Sequence, residues 1–454
     1  MVTARFLLLT LALPLLGSYV RHFRTVRMLP WPGQIAISFA TGLLTIVAEM
    51  FVLSWLGLHW NAWLLVPVPL VLSAFTLRSA AKQSAADRSA GFQPAGPPAS
   101  SRPSPTLLIA LLALAILISA VLAGMCTSGD FVYFWGVKGQ RWGAVHFLDT
   151  AFTQEPGHYM HPDYPPLLPL YYAWTLLGGD GKLDWWGAIL ATPLFLAIGA
   201  TAIWAFGRYA RIRAIDGIVA LFVALYALFY VRNQVAGNAE PPLHMFEAIA
   251  LAALTCWRER SNEHDAIAAI ALCGVALTKV EGGIFVLLVC GLTWLAREGT
   301  LRQRLIAGTK MAILPITTLA TWLLFGATRG LTDTYVPRAD LSLQYLWPTL
   351  LELLRELSLH LWYTPWIALL VILFCGRAKN AIPYILATLL FLAFLLAVYT
   401  RAEPHLEWSA GRTLMTPLLL FIAGVVAAHR PLEELRDVTV SPVQASTSNP
   451  RPPA

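Results

Sequence analysis

The sequence has few charged residues and few cysteines. Only 13% of its 454 residues are charged, against roughly 25% in a soluble globular domain, which excludes one large water-soluble core. The five cysteines show no CxxC spacing and most lie inside apolar runs, so they are expected to be core residues and not a disulfide framework. The alternating strand pattern of a membrane β-barrel is also missing, as is any nucleic-acid-binding motif.

Hydrophobic residues make up 57% of the chain, and its mean hydropathy is +0.63. They form repeated apolar runs of about 20 residues separated by short polar joints, which is typical of a polytopic helical membrane protein. The runs predict an all-α bundle of about thirteen transmembrane helices. Lys and Arg concentrate in alternate short loops, which predicts that the N-terminus is outside the cytoplasm and the C-terminus inside.

Two polar stretches divide the chain. Residues 78–104 and 431–454 are too polar and Pro-rich to bury an apolar core, so we expect a disordered cytoplasmic linker and a disordered cytoplasmic tail. Transmembrane helices at 1–77 precede the linker, and the core of the protein is expected at 105–430. The first apolar run, 6–19, has the length of a signal peptide but lacks a strong basic flank and a clear cleavage site, so it is expected to remain as a span.

The longest interruption between apolar runs is Asp130 to Pro169, which contains DFVYFWGVKGQRW and HPDYPPLLP. It is crowded with aromatic residues, prolines and charges, and it follows an apolar run that crosses outward. We expect an extracytoplasmic loop with juxtamembrane helices that carries an active site. Within it, Pro165 to Leu177 is apolar but short, so we expect a half-buried or re-entrant helix and not a crossing.

On this topology, unusual polar residues collect at the extracytoplasmic face. Glu240, His244 and Glu247 share one face of a helix, and charged groups that enter a span normally face the bundle interior or a wet cavity. Lys279 and Glu281 stand at a tight turn, where a local ion pair is the alternative to phosphate binding. The candidates for catalysis or substrate binding are Asp130, Lys138, His161, Asp163, Tyr164, Glu240, His244, Lys279, Glu281, His405, Glu407 and Arg412.

A divalent metal site is the alternative use of the histidines in the long loop. His158 and His161 have Glu155 and Asp163 nearby. The pair lacks a third ligand at a diagnostic spacing. A divalent metal at these residues is therefore an open alternative that the spacing does not support, and no cofactor is assigned.

Five segments carry a resemblance to a known family: DFVYFWGVKG, HPDYPPLLPL, GNAEPPL, ALTKVEGGIF and EPHLEWSAGR. In their order and common sidedness they resemble the GT-C class of integral-membrane glycosyltransferases. The nearest relatives are bacterial enzymes similar to protein O-mannosyltransferases, aminoarabinose transferases and lipopolysaccharide-core galacturonosyltransferases. The resemblance covers residues 105–430. It implies a protein of the bacterial inner membrane that transfers a sugar from a polyprenyl-phosphate donor, its co-substrate, to a lipid, polysaccharide or protein at the periplasmic face.

The resemblance also implies roles for individual residues. Asp130 matches an acid of the first extracytoplasmic loop that acts as general base or orients the acceptor. Glu240 matches a second acid, although family members often have Asp there. Lys138, Lys279 and Arg412 are the candidates for binding the lipid phosphate.

The chemistry of such a transfer suits these residue types. Nucleotide sugars are not available outside the cytoplasm, so a donor there is best carried by a lipid whose phosphate is the leaving group. Cations beside the phosphate offset the charge that develops on it, and a carboxylate within hydrogen-bond reach of the acceptor hydroxyl takes its proton. Direct displacement inverts the anomeric centre.

Two other functions remain open. A transporter or flippase of polyprenyl-linked lipids or sugars usually has internal repeats and places polar groups near the midplane, whereas this sequence has no visible repeat and its polar groups collect at one face. A non-catalytic subunit of envelope glycan assembly would keep the fold and lose the acids. In each case the partners are membrane lipids and a lipid or glycan ligand, and not nucleic acid.

Overall fold

The computed structural model describes residues 2–76, 78, 105–155, 160–179, 181–212, 214–255, 262–296, 299–331, 345–374, 378–401 and 409–428. These residues form helices and connecting turns without a β-strand, which confirms the predicted all-α fold. Most of the predicted linker and all of the predicted tail lie outside the described residues.

The described helices have the following bounds. In chain order they are α1 (Val2–Leu16), α2 (Arg24–Met28), α3 (Trp31–Trp55), α4 (Ala62–Leu65), α5 (Pro105–Leu122), α6 (Gly136–Val145), α7 (Thr150–Gln154), α8 (Leu167–Leu176), α9 (Trp185–Tyr209), α10 (Ile215–Arg232), α11 (Glu240–Thr255), α12 (Asn262–Ala276), α13 (Val280–Ala296), α14 (Leu301–Arg329), α15 (Leu346–Arg355), α16 (Thr364–Phe374), α17 (Ile382–Arg401) and α18 (Met415–Ala428). Phe131–Trp135 and Glu356–His360 form π-helical turns.

Several of these helices are long and apolar enough to cross a membrane. In the described part of the chain there are seven: Ala4–His22, Trp31–Trp55, Trp185–Tyr209, Ile215–Arg232, Leu301–Arg329, Ile382–Arg401 and Ser409–Ala428. An eighth results if Leu346–Leu359 and Thr364–Phe374, which meet at 78°, form one broken span. A multi-pass membrane protein is thus confirmed, whereas the count of about thirteen spans is not.

The difference comes largely from short helices. The helices α11, α12 and α13 have 16, 15 and 17 residues, fewer than the about 20 of a typical apolar span. All residues of α11 are buried, so its surroundings are protein and not lipid.

The short helices still run between the same two ends of the bundle. At one end, called the upper end here, Ala236 N donates to Cys126 O at 2.9 Å just before α11 begins. At the other, the lower end, Thr25 N donates to Glu263 Oε2 at 2.7 Å at the start of α12. The helix α11 therefore leads from the upper end to the lower end, and α12 leads back.

The short apolar helix predicted at Pro165–Leu177 is α8. All ten of its residues are buried, so the first of the two alternatives, a half-buried helix, was wrong. The helix is not among those long enough to cross a membrane, as predicted, and the re-entrant alternative stays a prediction. Its contacts reach well into α1, because Trp174 Nε1 donates to Leu9 O at 3.0 Å. A helix that is hydrophobic all round needs protein on every side, and α1, α3 and α6 provide it.

Glycines allow α6 to lie close to α8. A Cβ on Gly139 would be 2.5 Å from Tyr172 Cβ, and one on Gly143 would be 2.4 Å from Leu176 Cδ1. A larger residue at either position would push the two helices apart. Because α6 directly continues the π-helical turn at Phe131–Trp135, this contact also positions the loop that precedes the turn.

Candidate functional site

Backbone pairing at the upper end brings two loops together. Ala236 N donates to Cys126 O at 2.9 Å, and Ser128 N donates to Ala236 O at 3.1 Å. Gly237 follows with a φ of 83°, and a Cβ there would be 2.5 Å from Phe131 Cγ. Glycine meets both demands because it has no Cβ. The loop that leads to α6 and the loop that leads to α11 therefore lie side by side.

Asp130 lies at the start of the π-helical turn, a feature that is frequent at functional sites. Its backbone N–H donates to Ser128 Oγ at 3.1 Å. Its Oδ2 accepts from Asn238 Nδ2 at 3.2 Å and from Arg412 Nη1 at 2.5 Å. The side chain is still 36% exposed, so a ligand can reach it.

Glu240 is the first residue of α11 and is followed by two prolines. Proline suits the first turn of a helix, where its missing N–H has no intrahelical partner, and the helix N-terminus favours a carboxylate. Glu240 Oε1 lies 3.1 Å from Lys279 Nζ and 3.6 Å from Arg412 Nε. The residue is only 2% exposed, and the two cations offset the cost of burying its negative charge.

Lys279 occupies the turn between α12 and α13, with Nζ 3.1 Å from Glu240 Oε1 and 3.3 Å from Glu281 Oε1. Burial by itself would lower the pKa of Lys279. The attraction of Glu240 and then of Glu281 outweighs burial and raises this pKa above its ordinary value. The amine is therefore charged, and the local ion pair weighed as an alternative for this turn is present.

Arg412 connects the two halves of the site. It lies on a helical turn that begins at Ser409 and leads into α18. Tyr399 OH fastens this turn to the end of α17, through hydrogen bonds to Ser409 Oγ at 2.9 Å and Thr413 Oγ1 at 2.8 Å. The guanidinium lies between Asp130 and Glu240 as a result.

Five charged side chains thus form one network at the upper end, called the charge cluster below: Asp130, Glu240, Lys279, Glu281 and Arg412. They come from four separate regions of the sequence. The predicted convergence of Asp130 with Glu240 and Lys279 at one end of the bundle is therefore present.

Lys138 takes a different place from the one expected of a phosphate ligand. It is only 1% exposed, and its Nζ donates to His161 O at 2.7 Å. The amine also lies over the rings of Phe134 and Trp135, at 5.9 and 5.5 Å from their centroids. These contacts hold the backbone of the 161–164 segment in place.

The 161–164 segment itself lies against the charge cluster. The rings of His161 and Tyr164 stack at a centroid distance of 4.7 Å, and His161 has a left-handed backbone with φ 43°. Trp322 Nε1 of α14 donates to Asp163 O at 3.1 Å. Just after this segment, Leu167 N donates to Leu277 O at 2.8 Å, two residues before Lys279.

The polar face of α11 continues into the bundle beyond Glu240. Tyr230 OH and His244 Nδ1 are 3.0 Å apart, and Thr416 Oγ1 donates to Glu247 Oε1 at 2.9 Å. His244 is 2% and Glu247 0% exposed. The predicted helix face is thus present, and it is lined by α10 and α18.

Two side chains of this region were not among the predicted site residues. Asn238 donates to Asp130, and the available signal was its position in GNAEPPL, two residues before Glu240. Glu247 accepts from Thr416, and the available signal was an acid inside an apolar helix, which usually marks a functional position.

His405, Glu407 and His158 lie outside the described residues. In the part of the chain that is described, no group of three or more His, Cys, Asp or Glu side chains is placed to hold a metal ion. An apolar crevice lined by Val20, Ile37 and Phe246, among others, borders none of the five charged side chains.

Comparison of the chain with known protein families, with curated proteins and with solved structures finds no match. The charge cluster supplies the groups with which this protein could do chemistry. A partly exposed carboxylate can accept a proton, and cations held beside it can offset negative charge on a substrate. This combination suits acid–base chemistry on an anionic substrate.

Proposed function

We propose that this protein is a membrane glycosyltransferase of the GT-C type. It transfers a sugar from a polyprenyl-phosphate donor to a lipid, polysaccharide or protein acceptor at the periplasmic face of the bacterial inner membrane. One observation carries the proposal: Arg412 lies between Asp130 and Glu240, with Lys279 beside them, at one end of a multi-pass helical bundle. Cations suit an anionic lipid headgroup, and a carboxylate suits a hydroxyl acceptor.

Asp130 is the general base in this proposal. Its side chain is 36% exposed, against 3% for Glu240 and 21% for Glu281, so it is the carboxylate most open to an acceptor. It takes the proton of the acceptor hydroxyl as the hydroxyl oxygen attacks the anomeric carbon. The bond from that carbon to the phosphate oxygen breaks, and its electron pair stays with the phosphate. The product has the inverted configuration.

Lys279 and Arg412 bind the phosphate. They supply the positive charge that offsets the charge gained by the leaving group. Glu240 contacts both cations and is buried, which makes it a positioning residue for them. Further substrate contacts are assigned to His161, Asp163, Tyr164 and Glu281. Lys138 and His244 are buried and support this end of the bundle from within. His405 and Glu407 keep the substrate-binding role expected from the sequence.

The proposal includes about thirteen crossings, with the charge cluster outside the cytoplasm. Its support is that α11 and α12 connect the two ends of the bundle although they are short. A second support is the distribution of arginines: Arg21, Arg24 and Arg27 flank Thr25, which contacts Glu263 at the lower end. Basic residues of this kind mark the cytoplasmic side.

The test is complementation of a strain that lacks the gene. Wild type restores the missing glycoconjugate, measured by mass spectrometry of the envelope lipids and glycans. Asp130→Asn is expected to lower the product at least about 100-fold, since a positioned general base contributes that much or more. Its matched control is Asp149→Asn, which changes a partly exposed carboxylate of the same loop that pairs with Arg141 at 2.9 Å. Unchanged product with Asp130→Asn, at equal protein in the membrane, would exclude the proposed role of Asp130.

One observation favours a second function, the transport or flipping of polyprenyl-linked lipids or sugars. Glu247 is fully buried two helical turns from the charge cluster, and acids at such depth are common in proton-coupled transporters. Proteoliposomes with a fluorescent polyprenyl phosphate separate the two. Transport would be lost in Glu247→Gln and would leave the lipid chemically unchanged. Transfer depends on Asp130 and removes the sugar from a sugar-carrying donor. A non-catalytic assembly subunit would do neither.

A further inference from the structure

Both cations of the charge cluster are already engaged. Among the described residues, Lys279 contacts Glu240 and Glu281, and Arg412 contacts Asp130 and Glu240. Three carboxylates and two cations leave a formal charge of −1. A phosphate group that enters this site adds more negative charge. It binds favourably only when a carboxylate gives up its cation.

Asp130 is the carboxylate that can release its partner cation at the lowest cost in free energy. Its side chain is 36% exposed, so water can solvate it once its partner has moved. Glu240, with a side chain only 3% exposed, would become an uncompensated buried charge, which is strongly unfavourable. Glu281 contacts Lys279 alone and has 21% exposure, so it is intermediate.

The geometry of Arg412 suits such an exchange. Its Nη1 donates to Asp130 Oδ2 at 2.5 Å, whereas its Nε lies 3.6 Å from Glu240 Oε1 and makes no hydrogen bond. A guanidinium has five N–H donors in a fixed fork and binds phosphate through two of them at once. One donor group is therefore committed to Asp130, and Nε is still unused.

We propose that Arg412 is a switch that couples donor binding to the activation of Asp130. In the protein without donor, Arg412 Nη1 donates to Asp130 Oδ2, so this oxygen is occupied and cannot accept the proton of the acceptor. The donor phosphate draws Arg412 away and leaves Asp130 free to accept the proton of the acceptor. The inference rests on the proposed function and adds an order to it: the donor binds before the acceptor can react. Arg412 then acts as a positioning residue for Asp130 as well as a phosphate ligand.

The switch makes an unusual prediction about affinity. Asp130 competes with the phosphate for Arg412, so removing the charge of Asp130 should strengthen phosphate binding. The probe is a polyprenyl monophosphate without sugar, added to the full-length protein in lipid nanodiscs and followed by intrinsic Trp fluorescence. Asp130→Asn is expected to bind at least about tenfold more tightly than wild type, and Arg412→Gln at least about tenfold more weakly. The control Asp149→Asn is expected to bind within about twofold of wild type, because Asp149 is paired with Arg141 and is not part of the charge cluster.

Each outcome is decisive. A purely structural role for the Asp130–Arg412 pair would lower the affinity of Asp130→Asn and never raise it. If wild type binds, Arg412→Gln weakens binding and Asp130→Asn fails to strengthen it, the switch is wrong and the proposed function stands. If wild type does not bind the probe, or Arg412→Gln binds equally well, both fall. Asp130→Ala repeats the measurement, and failure of both Asp130 variants to fold would show a structural pair and overturn the switch.

Discussion

Lys279 Nζ lies 3.1 Å from Glu240 Oε1, which ties the turn before α13 to the first residue of α11. The two side chains are 9% and 3% exposed. A buried ion pair adds little stability as a unit, because both charges lose their hydration. Removal of one partner is nevertheless costly, because the other charge stays behind in the interior. The pair is therefore the most sensitive point of the charge cluster.

Lys279→Met is expected to destabilise the protein by about 3–5 kcal/mol, the range for breaking a buried pair. Glu240 would keep only Arg412, at 3.6 Å and without a hydrogen bond. Glu240→Gln should cost less, because Lys279 still has Glu281 at 3.3 Å. Thermal unfolding of both variants in the same detergent gives the comparison.

The control for this experiment is again Asp149→Asn. The Arg141–Asp149 pair has side-chain exposures of 48% and 19%, and exposed pairs are worth about 0–1 kcal/mol. Asparagine also keeps the helix cap, since the Asp149 side chain accepts from Phe152 N at 3.1 Å and Asn caps equally well. Equal melting temperatures for Lys279→Met and Asp149→Asn would contradict a buried, structurally required pair.

Lys138→Met tests the role of the buried amine in the first loop. The variant removes the donor to His161 O, which is at 2.7 Å in the wild type, and an unsatisfied buried acceptor costs about 1–3 kcal/mol. Hydrogen exchange in residues 161–164 should therefore become faster. Affinity for the polyprenyl monophosphate probe should stay within about threefold of wild type, a small effect on the free-energy scale. Normal exchange combined with loss of affinity would instead support the phosphate role first expected for Lys138.

The overall architecture was predictable because it depends on local properties. A membrane span needs about 20 apolar residues whatever its neighbours are, so the apolar runs indicated a multi-pass helical protein. The meeting of Asp130, Glu240 and Lys279 also followed from topology. Alternating crossings and basic loops determine at which end of the bundle each polar segment lies.

The partners within that end were not predictable in the same way. Topology gives the end of the bundle but not the neighbour, and the Asp130–Arg412 contact joins residues 282 positions apart. Lys138 looked like a surface cation, yet the rings of Phe134 and Trp135 cover it. The full burial of α8 likewise depends on helices that are distant in sequence.

Gly139→Ala tests whether close packing of α6 on α8 positions Asp130. The new methyl group would lie 2.5 Å from Tyr172 Cβ and 3.2 Å from Pro169 O, so one of the helices must shift. Overpacking of this kind costs about 1–3 kcal/mol. Because α6 directly continues the turn that Asp130 starts, product formation in the complementation assay should fall together with the melting temperature.

Gly291→Ala is the matched control, because Gly291 is also a helix-interior glycine but has no atom of another residue within 4 Å of the added Cβ. Alanine is favoured over glycine in a helix by about 0.5–1 kcal/mol, so this variant should melt at the wild-type temperature or slightly above it and keep its product. If Gly139→Ala behaves in the same way, the α6–α8 contact is not tight enough to matter. The position of Asp130 would then depend on the backbone pairing between Cys126 and Ala236 and on the hydrogen bonds that Asp130 makes with Ser128, Asn238 and Arg412.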